Sequence, residues 1–248
     1  MALTTTGPGA INALAAFGEA AVSGVPVLLI SSDVSTALRS PEGPRGILPE
    51  MGDQAAPFAA LDRPARTVTS AEEALTAVGE SISLAMSPPR GPAYVGIPSD
   101  ILNAPWEGPL PTEPATCSVS PVEMDALADL VGSSPRVVIW SGGGVAQSGE
   151  HGLAALQSLA ERLGAPVVTT YAGRGVMAGH PLAIETSTHE PEVEALIGSA
   201  DLLLVVGSGF DAMHTKNWKM ALPPRRAAIS LGAEIGRTID WDVLVQAD

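Results

Sequence analysis

One cysteine in 248 residues, Cys117, excludes an intramolecular disulfide framework and fits a reducing compartment. Aromatic residues make up only 4% of the chain, which argues against an aromatic-rich barrel core. Basic residues are scarce as well: 13 Lys and Arg stand against 27 Asp and Glu, for a net charge of −14. A surface this acidic repels phosphate backbones and anionic lipid, so neither nucleic acid nor a membrane is expected as a partner. Long apolar runs are missing too. Val25–Ile30 and Leu202–Val206 are strand-sized, far short of the roughly 20 residues that cross a bilayer. Met1–Gly7 shows no basic stretch followed by an apolar one, so no secretory leader is expected and the location implied is cytoplasmic. The four histidines, His151, His180, His189 and His214, have no zinc-ligand spacing with each other or with Cys117.

What the chain has in quantity is hydrophobic residues, at 46%, and 26 glycines. That composition supports close-packed helix-on-sheet layers. Short apolar runs alternate with helical patterns throughout, which predicts an α/β fold of two Rossmann-like three-layer domains with mostly parallel sheets, the first one incomplete. In the first segment, strands are expected at Leu3–Thr6, Val27–Ile30 and Ala93–Ile97. A helix is predicted over Gly9–Ser23, with Ile11, Leu14, Ala15 and Phe17 on one face and Gly24 as its stop. Ser70 and Glu73 form a capping box opening a helix that runs to about Met86. Asp33–Gly52, with three prolines and three glycines, reads as a long functional loop.

Asn103–Pro121 carries five prolines and little periodicity, which marks a semi-rigid linker. The domains are therefore placed at 1–105 and 120–248, with the linker at 106–119. The second domain is expected to open with Ser120 as helix cap. Strands should follow at Val137–Trp140, Pro166–Thr170, Leu202–Val206, Ala227–Leu231 and Val243–Val245, with helices at 147–163 and Pro191–Ile197.

Thr5-Thr6-Gly7-Pro8-Gly9-Ala10-Ile11-Asn12 is the most specific string. Two glycines around a proline end a strand in a tight turn that another group can approach closely. Alone, this reads more readily as an ordinary strand-to-helix turn. It is followed by Pro92-Ala-Tyr-Val-Gly-Ile-Pro-Ser-Asp100, then Val138-Ile-Trp-Ser-Gly-Gly-Gly-Val145, Gly173-Arg-Gly-Val-Met177 and Val205-Val-Gly-Ser-Gly-Phe-Asp211, in that order. With these strings the chain resembles the thiamine-diphosphate-dependent enzymes of the acetolactate synthase and benzoylformate decarboxylase group. The matching parts are the back of the pyrimidine-binding domain and the central domain.

The resemblance implies thiamine diphosphate and Mg²⁺ as cofactors and a 2-oxo acid as substrate. It implies decarboxylation or acyloin-type carbon–carbon bond formation in a homo-oligomer, a dimer or tetramer. Gly7, Pro8, Gly9 and Asn12 would shape the pyrimidine side, and Glu50 and Gln54 would lie in a loop near the substrate. The family's upstream glutamate and its Gly-Asp-Gly motif with a downstream Asn, which hold the two ends of the cofactor, have no counterpart in these residues. The chain is thus expected to be a piece of such an enzyme, with no catalytic residue and no metal ligand of its own and without turnover alone.

Gly142, Gly143 and Gly144 follow a predicted buried strand and could open onto a pyrophosphate. The spacing is not Gly-x-Gly-x-x-Gly, so close backbone packing is the favoured reading. Arg174, Phe210 and Asp211 are further candidates for a nucleotide or flavin. Flavin is disfavoured, because Gly209 stands where flavin-binding members carry an arginine. The alternative to a catalytic fragment is a non-catalytic nucleotide- or flavin-binding or oligomerisation module.

Overall fold

A computed structural model describes residues 1–40, 42–43, 45–87, 90–105 and 121–247. The chain divides into two compact units, Met1–Thr116 and Cys117–Asp248. The linker proposed at 106–119, the cap Ser120 and Cys117 lie outside the described residues.

The first unit is built on a four-stranded parallel sheet. Its strands are β1 (Ala2–Thr4), β2 (Leu28–Asp33), β3 (Ala65–Thr67) and β4 (Ala93–Pro98), in the order β1-β2-β4-β3. Central β4 is buried along its whole length, as a strand covered on both faces must be. Around the sheet run α1 (Pro8–Asn12), α2 (Leu14–Val22), α3 (Ala56–Ala59), α4 (Ala71–Met86) and α5 (Ser99–Leu102).

The single helix expected over 9–23 is in fact two, because the chain tightens at Ala13, whose N–H bonds back three residues to Ala10. This changes the buried face. Ala10, Phe17 and Ala20 point inward, Ile11 and Leu14 are half-buried, and Ala15 is exposed. Gly24 ends the segment with φ 64°. Phe58 stacks on Tyr94 at 4.2 Å between ring centres and meets Phe17 edge-on, so three of the few aromatics share one core.

The second unit carries a six-stranded, all-parallel sheet. Its strands are β5 (Val137–Ser141), β6 (Val167–Thr169), β7 (Ala183–Ile184), β8 (Leu202–Val206), β9 (Arg225–Ser230) and β10 (Val243–Gln246). The order is β10-β9-β8-β5-β6-β7, so the chain adds strands to one side of β5 and then reverses to the other at β8. Helices α6 (Pro121–Gly132), α7 (Gly143–Gln147), α8 (Gly149–Leu163) and α9 (Pro191–Gly198) flank it. The helix expected over 147–163 is α8, and a further short helix, α7, precedes it across Ser148, where Gly149 takes φ 70°. Alternate residues of β5 feed two cores. Val137 and Ile139 join Leu156 and Ala160 of α8 on one face, and Val138 and Trp140 join Val193 and Ile197 of α9 on the other.

Candidate functional site

In parallel α/β sheets, ligands gather outside the carboxyl ends of the strands. In the first unit that rim carries the Gly7-Pro8-Gly9 turn leaving β1. Gly7 is buried with φ 65°, a conformation L side chains rarely adopt. A Cβ there would stand 2.2 Å from the Pro49 carbonyl oxygen, and one on Gly9 would stand 2.4 Å from the Thr5 methyl. The two glycines are required because the turn is wedged between the Asp33–Gly52 loop and its own strand.

Gln54 locks that wedge. It is 2% exposed, and its Oε1 accepts the Gly7 N–H. Because a backbone N–H can only donate, the side-chain NH₂ must face the other way. There it meets the Tyr94 hydroxyl at 2.7 Å, the Ser32 carbonyl at 3.0 Å and Ser31 Oγ at 3.3 Å. Ser31 Oγ donates in turn to the Thr5 carbonyl, and the hydroxyls of Thr6 and Ser32 lie 2.9 Å apart. One amide thus ties the turn after β1 to the end of β2 and to a side chain of β4. Burial pushes the Tyr94 phenol above its ordinary pKa, against hydrogen bonds with Gln54 and Ser31 that pull it down.

The other named residues of this side are placed differently. Pro8 and Asn12 are exposed. Glu50 is half-buried and accepts the Arg45 N–H at 2.8 Å, a contact inside its own loop. Tyr94, Ser31 and Ser32 were not singled out from sequence as site residues. Their signal was weak: two serines late in an apolar strand, and one tyrosine near the start of another. Asp33, next along β2, is also buried, paired with Arg39 and accepting the Val34 N–H.

In the second unit the rim around the strand-order reversal is closed by backbone. The Gly144 N–H donates to the Gly207 carbonyl at 2.8 Å, and the Gly142 N–H to the Val206 carbonyl at 2.9 Å. Cβ atoms on Gly142 and Gly144 would fall 2.3 and 2.8 Å from Gly207 atoms, and one on Gly173 would fall 2.6 Å from the Ser141 carbonyl oxygen. The glycine run packs the loops after β5, β6 and β8 against one another, and at least one amide at the start of α7 is already engaged.

Phe210 is fully buried against Trp140 and Trp241, so it is a core residue. Asp211 is exposed and bonds the His214 ring. Burial raises its carboxyl pKa, but the N–H and ring of His214 outweigh that and hold it below the usual range. Arg174 is exposed and lies over the Tyr171 ring at 5.2 Å. With Thr169, Met177, Ile184 and Glu185 it lines a cavity of about 200 Å³. Among the described residues, no cluster of His, Cys, Asp or Glu could hold a metal ion, and no helix is long and apolar enough to cross a membrane.

Residues 124–248 match the family model of the thiamine pyrophosphate enzyme central domain, and residues 1–56 match that of its N-terminal TPP binding domain. The chain is 31% identical over 223 residues to a probable 2-ketoarginine decarboxylase of Pseudomonas aeruginosa, covering 88% of this chain and 38% of that protein. It is 31% identical over 269 residues to a chloroplastic acetolactate synthase of Zea mays, covering 99% of this chain and 39% of that one. To the acetolactate synthase large subunit of Corynebacterium glutamicum it is 28% identical, with 99% and 40% covered. The chain therefore spans about two fifths of the length of these relatives.

Proposed function

The chain belongs to the thiamine pyrophosphate enzymes, and from that premise we propose that it forms the pyrimidine side and the central domain of an enzyme acting on 2-oxo acids. The reaction is decarboxylation or acetolactate-type carbon–carbon bond formation, the chemistries named in its relatives. The observation that carries the reading is the Gly7–Gly9 turn, clamped from beneath by Gln54 at the carboxyl rim of a parallel sheet.

Thiamine diphosphate, when bound, supplies the electron sink that lets a 2-oxo acid lose carbon dioxide. The work of this chain is to offer it a rigid turn. Gln54 fixes the Gly7 peptide, Pro8 and Asn12 are exposed, and the missing side chains at Gly7 and Gly9 let the turn pack tightly on Pro49 and Thr5. None of the described residues is assigned to Mg²⁺ or to the diphosphate. Glu50 stays a substrate-side candidate by virtue of its loop. Flavin is not assigned. The occupied Gly144 amide and the glycine at position 209 both speak against it.

Two measurements test this. Within its full-length protein, this segment should support loss of 2-oxo acids, from a panel including 2-ketoarginine and pyruvate, that depends on thiamine diphosphate and Mg²⁺. The 248-residue chain alone should show none. Absence of any such consumption by the full-length protein overturns the reading, and turnover by the chain alone overturns its division of labour. A flavin spectrum on purification would overturn the cofactor assignment.

A further inference from the structure

His214 is 8% exposed and stands where three loops of the second unit's carboxyl rim meet. Its Nδ1 faces the Asp211 carboxylate at 2.8 and 3.0 Å. Its Nε2 lies 3.2 Å from the Tyr171 amide nitrogen in the loop after β6. An amide N–H can only donate, so Nε2 must present a lone pair and the ring proton sits on Nδ1, toward Asp211. Thr188 Oγ1 donates to the His214 carbonyl at 3.2 Å, and His189 Nε2 is 2.7 Å from the Met213 carbonyl, which joins the segment after β7. The Tyr171 ring lies 5.0 Å from the imidazole, and Arg174 rests on that same ring.

We propose that His214 is a one-proton latch that holds the Tyr171–Arg174 loop closed when neutral and releases it when a second proton binds. A proton arriving at Nε2 turns an acceptor into a donor that points at another donor, so the Tyr171 peptide must leave. Two neighbours hold the ring from opposite sides: the Asp211 carboxylate faces Nδ1, and the Tyr171 N–H occupies the Nε2 lone pair. Charged groups around this turn also include Arg174, held on the Tyr171 ring, His189 after β7, and Lys216, which is paired with Glu194 of α9. Nε2 itself meets the Tyr171 amide, so release of the loop is decided at that one bond. Release of Tyr171 frees Arg174, which lines the cavity beside β6 and β7. The latch therefore couples proton concentration to the shape of that cavity.

The experiment follows amide exchange at Tyr171 in the full chain from about pH 8 to about pH 5, the span in which histidine charge changes, corrected for intrinsic exchange. The His214 ring nitrogens are followed in parallel by ¹⁵N chemical shift. Protection at Tyr171 should fall by about tenfold or more as His214 gains its proton. In His214→Gln, whose amide oxygen accepts the Tyr171 N–H at every pH, protection should stay flat. Constant protection in the wild type while Nε2 becomes protonated overturns the proposal. So does a His214 that never titrates in that range, or an equal loss of protection in the glutamine variant. Should the variant fail to fold, the wild-type shifts and Tyr171 exchange decide alone.

Discussion

Replacing Gln54 with leucine keeps volume but removes both ends of the amide, leaving the buried Gly7 N–H without its acceptor. Such an orphan costs about 1–3 kcal/mol, so Gln54→Leu should lower unfolding free energy by that amount in a denaturant titration. Tyr94→Phe removes only the phenol hydroxyl from the same network and should cost about 1 kcal/mol. In a double-mutant cycle the two losses should be less than additive, because they share one hydrogen bond. Tyr94 also supplies a pH signature. Its folded-state pKa is raised, chiefly by burial, so its contribution is fully present below the unfolded value of about 10. That contribution is lost as pH rises through the folded value. Stability of the wild type should therefore drop more steeply than that of Tyr94→Phe above about pH 10; identical slopes would show that the phenol titrates as it does unfolded.

At the scale of single elements, α4 shows how local chemistry places a boundary. Ser70 Oγ accepts the Glu73 N–H at 3.1 Å, as a capping box requires. The returning Glu73 carboxylate, however, reaches one residue further back, accepting both the N–H and the hydroxyl of Thr69 at 2.7 Å. Those two bonds, side chain first, hold the Glu73 pKa below its ordinary value. Ser70→Ala should cost about 1 kcal/mol, read as a fall of a few degrees in Tm, and the variant should still fold. Glu73 adds stability at neutral pH that disappears as acid titrates it, because its folded pKa is the lower one.

The start and end of α4, the position of β8 and the Gly24 stop were all legible in the sequence, because each depends on neighbours a few residues apart. The break at Ala13 was not, since no glycine or proline marks the point where the Ala13 N–H turns back to Ala10. Nor was β3 or β7, whose two or three residues become strands only by pairing with β4 and β6. The same distinction runs through the site. The Gly7 turn could be read locally, whereas Gln54 meets Gly7 across 47 positions and Tyr94 across 40. The His214 latch likewise spans 43 positions between ring and amide, and no local pattern announces it.

For the whole molecule, Leu3, Val22 and Leu48 of the first unit are 69%, 89% and 94% exposed, an apolar display that favours association. The chain should run as a dimer or larger species in light scattering, and a monomeric mass at micromolar concentration would contradict that assembly. All paired strands in each sheet run the same way. Each unit therefore sorts its connections onto two opposite margins, with strand-to-helix loops on one and returning turns on the other. An evolving lineage can then exchange one target molecule for another by editing the first margin while the foundation beneath it stays untouched. Random mutagenesis would register this as a polarity within each unit, with selected changes in specificity accumulating on one margin and losses of folding scattered across the floor.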